Sequence, residues 1–401
     1  MRCNNRLVMR TVLTAEKLWD GSHLVHHPTV VIEDGQIVSI DTQNAVDTSE
    51  AGEPHDRNHV LPWPGATLAP AFLDVHIHGA AGHDVMEATP EALHSIGRFL
   101  ASRGTGSFLA TTVTAPVDAT LRALSGLAKL VERANDERGG IARPIGIHLE
   151  GPFLSHEKRG AQPAEHLLAP DIGVFDRFFE AAEGHIRLMT MAPELPGALE
   201  LAAHATARGV RVSLGHSNAT AAETRSAIAA GAVSATHTFN AMRPLDHREP
   251  GILGTVLTTD SLFAELICDG VHSAPEMVKL WWKAKGPERG ILITDAMSAA
   301  GMPDGEYKLG GFAVQVENGR AMTRGVLAGS VLTLDRALAN FLAFAGVPLE
   351  QALPLLTANP AAMTGFGDLA GSIAVGQRAN LVAVDAEGML VASIVNGQLA
   401  N

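Results

Sequence analysis

The chain has 401 residues, 46% hydrophobic and 18% charged, more than a typical single domain needs and ample for a large buried core. Thirty Lys and Arg against 43 Asp and Glu give a net charge of −13, which repels nucleic acid and anionic membrane surfaces, and aromatic residues at 4% offer no stacking platform for bases. Two cysteines, Cys3 and Cys268, exclude a disulfide framework, and no apolar run approaches the roughly 18 residues that span a bilayer.

Arg2, Arg6 and Arg10 precede only the apolar pair Val12-Leu13 before Glu16 and Asp20, a pattern unlike a secretory signal, so the expected compartment is the cytoplasm. Runs at 30–32 and 37–40 flank Glu33-Asp34-Gly35-Gln36, whose Asp-Gly step predicts a hairpin. From 68 to 370 apolar runs alternate with helical spacing. Strands are predicted at 72–78, 107–113, 145–150, 186–191, 210–216, 232–237, 263–268 and 291–295, and helices at 90–100, 118–133, 219–230 and 275–284, several opening with Pro or Asp. This α/β alternation predicts a parallel (β/α)8 barrel of the TIM type, whose active sites lie at the carboxyl ends of the strands. Further on, runs at 380–384 and 390–395 flank Asp385-Ala386-Glu387-Gly388, and Asn396-Gly397 makes another turn. The two β-rich ends are expected to pair into one small β-sandwich of residues 1–67 and 371–401 around a barrel of residues 68–370.

Five predicted strands end in metal-binding or proton-carrying side chains. His76-Ile77-His78 sets two imidazoles on one strand face, because side chains alternate, so both can reach one ion. An isolated pair of this kind more often faces solvent, but this one ends a buried strand and precedes Gly79-Ala80-Ala81-Gly82. Glu150 stops at Gly151-Pro152, leaving at the barrel mouth a carboxylate able to ligate one ion or bridge two, whereas His148 reads as a hydrogen-bonded interior histidine one layer deeper. His216 and His237 come from consecutive strand ends, expected beside the strand of Glu150. The three match the protein ligands of a catalytic ion that keeps one position open for water. Asp295 follows the eighth strand; alone it reads equally as a helix cap, but within this set it is the proton carrier. Arg248, in the charged loop 243–251, and His272, after the seventh strand, are candidates for an anionic substrate group. Such donors take zinc, iron, manganese or cobalt.

With these residues in view, the chain resembles the N-acetylglucosamine-6-phosphate deacetylases of the amidohydrolase superfamily. The likeness runs almost end to end, through Phe72-Leu73-Asp74-Val75-His76-Ile77-His78, His148-Leu149-Glu150-Gly151-Pro152-Phe153, Gly215-His216-Ser217, His237-Thr238-Phe239-Asn240-Ala241-Met242, His247-Arg248-Glu249-Pro250-Gly251, Thr294-Asp295-Ala296-Met297 and Leu327-Ala328-Gly329-Ser330. The resemblance implies a homo-oligomeric, metal-dependent hydrolase of N-acetylglucosamine 6-phosphate, with one or two divalent ions per subunit. It implies that Glu150, His216 and His237 hold the principal ion, that Asp295 is the acid and base, and that the retained His76 and His78 offer a second position. It further implies that Asn240 and Ala241 contact the sugar phosphate, that Arg248 and His272 bind substrate, and that Leu327, Ala328 and Gly329 line the acetyl site. A substrate-binding arginine is lent across a dimer interface in such proteins. Where relatives carry a substrate-contacting histidine, this chain has Gln162. Two other readings stand beside this one: a different amidohydrolase, acting on cyclic amides or another N-acetylated amino sugar, and a catalytically silent sugar-phosphate-binding homologue.

Overall fold

The computed structural model describes residues 10–42, 59–134 and 139–400; Arg2, Cys3 and Arg6 lie outside them. Eight strands, β1 (Phe72–Ile77), β2 (Thr105–Thr112), β3 (Arg143–Glu150), β4 (Ile186–Met191), β5 (Arg211–Leu214), β6 (Ala232–Ala235), β7 (Phe263–Ile267) and β8 (Gly290–Ile293), form one parallel sheet in chain order. All eight predicted strands are present. Their near-continuous apolar runs suit a parallel sheet covered by helices outside and filled by side chains inside; every residue of β2, β3 and β8 is buried. The ring shuts between β8 and β1 just beyond the strand ends, where Asp295 N donates to His76 O at 2.9 Å and His78 N to Ala296 O at 2.8 Å.

A helix follows each strand, and local chemistry sets where several begin. Thr89 Oγ1 accepts from Ala92 N ahead of Pro90–Ser102, and Thr220 with Glu223 forms a capping box at Ala221–Ala229. Pro275–Arg289 breaks at Gly286 and Pro287, near the predicted end at 284. Fully buried Trp281 meets Phe341 edge-on at 6.2 Å between the last two large helices. Among the described residues, no single helix is long and apolar enough to cross a membrane.

Strands from both ends of the chain enter one further sheet. His59–Pro70 pairs with Arg10–Trp19 on one side and antiparallel with Leu381–Val384 on the other; the predicted hairpin, Thr29–Glu33 with Gln36–Asp41, lies at one edge and Gln398–Leu399 at the other. Where the sequence suggests a sandwich, hydrogen bonds join all eight strands into one continuous sheet. Its core of Leu13, Val30, Ile32, Leu68, Leu381 and Ile394, among others, is separate from that of the barrel.

Two features depart from the sequence reading. β4 stands between the strand of Glu150 and that of His216, so those residues are not on neighbouring strands. After β8 the chain also makes an unanticipated four-stranded antiparallel sheet, Gly305–Leu309, Phe312–Glu317, Arg320–Thr323 and Val326–Leu327, before returning to the barrel at Leu334–Ala345.

Candidate metal and substrate site

At the carboxyl ends of the barrel strands two buried donor clusters share one pocket. Glu150, His216 and His237 form the first; His76, His78 and Asp295 form the second, each with ligand atoms within 4.8 Å of one another. Glu150 stands between them. Its Oε1 lies 3.2 Å from His216 Nε2, 3.3 Å from His237 Nε2 and 3.4 Å from His76 Nε2, while Oε2 lies 3.3 Å from His78 Nε2. His78 Nε2 is in turn 3.1 Å from Asp295 Oδ1.

The opposite ring nitrogens explain this orientation. His216 Nδ1 donates to Lys158 O and His78 Nδ1 to Thr111 O, each at 3.0 Å. A carbonyl only accepts, so each proton belongs on Nδ1, and Nε2 of a neutral ring presents a lone pair to the carboxylates. His237 Nε2 and His216 Nε2 also face each other at 3.1 Å. His216 and His78 thus direct lone pairs at carboxylate oxygen in a buried space, an arrangement that positive charge relieves, either from protonated rings or from a cation. Tetrahedral ligation with metal–nitrogen bonds of about 2.0–2.1 Å separates donors by about 3.3 Å, and the first cluster has separations of 3.1 to 3.3 Å. The donor set therefore fits a divalent ion.

The titration behaviour has the same origin. Burial works to raise the Glu150 carboxyl, but His76, His216 and His237 outweigh it and hold the group well below the ordinary carboxylate range. Asp295 is likewise opposed by burial yet held at about 2 by His76 and His78. His78 is raised to about 9 by Asp295 and Glu150 against its burial. Burial and the neighbouring His76 push His148 well below its usual value; the neutral ring sits 2.8 Å from Thr190 Oγ1, the interior role expected of it. Divalent cations would displace the ring protons that balance the carboxylates.

Backbone strain marks the same place. His216, His237, Phe239, Ala241 and Asp295 all have positive φ, a concentration that functional sites sustain at a cost elsewhere in the fold. After Glu150, a Cβ on Gly151 would stand 2.2 Å from Thr114 Oγ1, so this turn accepts only glycine.

The pocket has a volume of about 270 Å³. Gln162 reaches it with both ends of its amide engaged: Nε2 donates to Glu150 Oε2 at 2.8 Å, and Oε1 accepts from Thr114 N at 2.9 Å. Asn240, Ala241 and His272 line it, and His272 Nδ1 donates to Asp269 Oδ2 at 2.7 Å. Leu327 and Gly329 reach the wall, but Ala328 is buried among Val113, Met297 and Leu309 behind it. Arg248 is exposed on its loop and does not line the pocket of its own chain.

Several contributors were not singled out from sequence. Glu265, wholly buried in β7, sets Oε2 3.3 Å from His76 Nδ1 while Oε1 has no partner. Asp74 accepts from Thr294 Oγ1 at 2.6 Å across the β8–β1 seam, and burial lifts its carboxyl to about 7. A carboxylate inside an otherwise apolar strand was the available signal for both. Leu309, Phe312 and Val326 of the inserted sheet supply an apolar wall.

Comparisons with known proteins agree with this geometry. The sequence pattern of the Amidohydrolase family matches residues 67–400. The N-acetylgalactosamine-6-phosphate deacetylase of Escherichia coli O157:H7 is 41% identical over 83% of this chain and 88% of its own length. The N-acetylglucosamine-6-phosphate deacetylase of Lysinibacillus sphaericus is 39% identical over 84% and 87%. The structure of a mutant N-acetyl-D-glucosamine-6-phosphate deacetylase from Mycobacterium smegmatis, in complex with N-acetyl-D-glucosamine-6-phosphate, superimposes with a TM-score of 0.88 at 35% identity, covering 98% of this chain and 99% of that one. The chain belongs to the amidohydrolase family and, within it, to the N-acetylglucosamine-6-phosphate deacetylases.

Proposed function

We propose that this protein hydrolyses the acetamide of N-acetylglucosamine 6-phosphate to glucosamine 6-phosphate and acetate, a step of amino-sugar catabolism. The observation that carries the reading is the convergence of Glu150, His216 and His237 with Asp295 at the mouth of the pocket. Glu150, His216 and His237 would hold the principal divalent ion, with His76 and His78 offering a second position. When bound, such an ion polarises the acetamide carbonyl and makes water more acidic. Zinc suits the donors, and iron, manganese or cobalt are the alternatives.

Asp295, ionised at neutral pH, takes the proton of the attacking water at Oδ1 and returns it to the departing nitrogen, which leaves as an amine. His272, oriented by Asp269, presents Nε2 to the sugar, and Asn240 and Ala241 border the phosphate. Leu327 and Gly329 border the acetyl group, and Leu309, Phe312 and Val326 keep bulk water from the reacting bond. Arg248 completes the phosphate site from a neighbouring copy in a homo-oligomer, and the protein works in the cytoplasm. Residues 68–370 form the catalytic barrel, with 1–67 and 371–401 as a supporting domain.

A second reading, the galactosamine epimer as substrate, is favoured by the 41% identity to the Escherichia coli enzyme. Acetate release by the metal-loaded protein, measured side by side on both N-acetylated hexosamine 6-phosphates, decides between them. No release from either overturns both and leaves a silent sugar-phosphate-binding protein.

A further inference from the structure

At the amino-terminal end of the barrel, opposite the donor clusters, lies a second cavity of about 460 Å³. Arg187, the second residue of β4, and Arg211, the first residue of β5, both line it. In a chain of net charge −13, arginines have many carboxylates to meet, yet no Asp or Glu lines this cavity. Neither arginine makes a hydrogen bond or ion pair among the described residues, and Arg187 Nε is buried without an acceptor.

The surroundings pack against Arg187 without neutralising it, while Arg211 stands exposed at the rim. Phe366 packs against Arg187, its ring centroid 5.8 Å from Cζ. Gly146, on β3, makes room for the stem of Arg187, since a Cβ there would sit 2.7 Å from Cγ. Gly365 lies beside Arg211, where a Cβ would be in ordinary contact, 3.6 Å from Nη2. Thr206 adds a hydroxyl to the wall. A buried donor left without an acceptor costs stability, and an incoming acceptor recovers that cost.

We infer that this cavity is a binding site for a small phosphomonoester, held by Arg187 and Arg211 and separate from the hydrolytic pocket. Guanidinium forks match phosphate oxygens with paired N–H donors, and two forks without competing carboxylates match a dianion. The cavity exceeds the hydrolytic pocket, about 270 Å³, so it has room for a phosphate carried on a hexose-sized body.

Isothermal titration of the metal-loaded full chain with glucose 6-phosphate, which has no acetamide to hydrolyse, tests the assignment. Wild-type protein is expected to bind one more equivalent than the Arg187→Met/Arg211→Met double variant, or to bind that equivalent at least about tenfold more tightly. Acetamide hydrolysis by the variant should stay at the wild-type level, because both positions lie at the far end of the barrel. A parallel titration with inorganic phosphate separates the sources: equal affinity identifies the free ion, and binding of the sugar phosphate alone identifies the ester. If the double variant fails to fold, the exposed Arg211→Gln change is measured instead and is expected to weaken binding severalfold. Equal stoichiometry and affinity in wild type and folded variant overturn the inference.

Discussion

Gln162 offers a sharp test of how the primary carboxylate is held. The change Gln162→Leu keeps side-chain volume and deletes both amide bonds, leaving Thr114 N–H, on a residue only 1% exposed, without an acceptor and Glu150 Oε2 without its donor. A lost bond to a carboxylate is worth about 1.5–3 kcal/mol and an orphaned buried N–H about 1–3 kcal/mol, so the lower half of these ranges gives a loss of about 3 kcal/mol. Unfolding entropy of about 2.1 cal/mol/K per residue over 401 residues makes that a fall of about 4 °C in Tm. Differential scanning calorimetry of the metal-loaded protein reads it. Gln162→Glu keeps an acceptor for Thr114 but replaces the Nε2 donor, 2.8 Å from Glu150 Oε2, with a second carboxyl; it should lose more at pH 8 than at pH 5, where a proton can be shared. A Tm within about 1 °C of wild type for Gln162→Leu would refute the reasoning, since the remaining packing would then suffice to hold Glu150.

Asp295→Asn should keep its principal metal, in the Glu150 cluster, yet lose about 10²–10⁴ in kcat, read by acetate release, and near-normal turnover would remove Asp295 from the proton path. His76→Gln should lower zinc content by one equivalent in elemental analysis while the Glu150 cluster keeps its own; unchanged content would make the centre mononuclear. Lys285, only 5% exposed, donates from Nζ to Val256 O and Thr259 O; burial, reinforced by Arg289 and opposed by Asp260, pushes its amine down to about 8. The unfolded chain then holds its proton longer than the folded one, so this group's contribution to stability rises between pH 8 and about 10.5. Denaturation of Lys285→Met should show a smaller gain over that interval than wild type, and an identical pH dependence would contradict the shift.

The barrel was legible because parallel strands buried on both faces are written as unbroken apolar runs, and because a titratable side chain at the end of such a run has few structural reasons to be there. His76, His78, Glu150, His216, His237 and Asp295 were all visible for that reason. The expected adjacency of the Glu150 and His216 strands overlooked the chain order: the strand predicted at 186–191, whose carboxyl end carries no histidine or carboxylate, stands between them as β4. Glu265 and Asp74 were passed over because a single carboxylate inside an apolar strand was absorbed into the strand assignment, although its burial demands a partner. The inserted sheet was missed despite the alternation of Phe312–Glu317 and the Asn318-Gly319 turn, since two-stranded signals inside a long α/β alternation look like loop. Arg248 illustrates a different limit: the sequence marks it as charged and near the mouth, but the folded chain leaves it exposed and outside its own pocket.

The seam between the first and eighth barrel strands has a bearing on how the protein comes into being. Asp295 N bonds His76 O, and His78 N bonds Ala296 O, so the contacts that shut the ring are made by the residues that gather the ion donors. These partners are separated by more than 200 positions of chain, so their meeting is entropically demanding and belongs late in folding. A nascent polypeptide that has not yet released its eighth strand from the ribosome therefore lacks both Asp295 and the closing contacts, and has no fractional hydrolytic capacity.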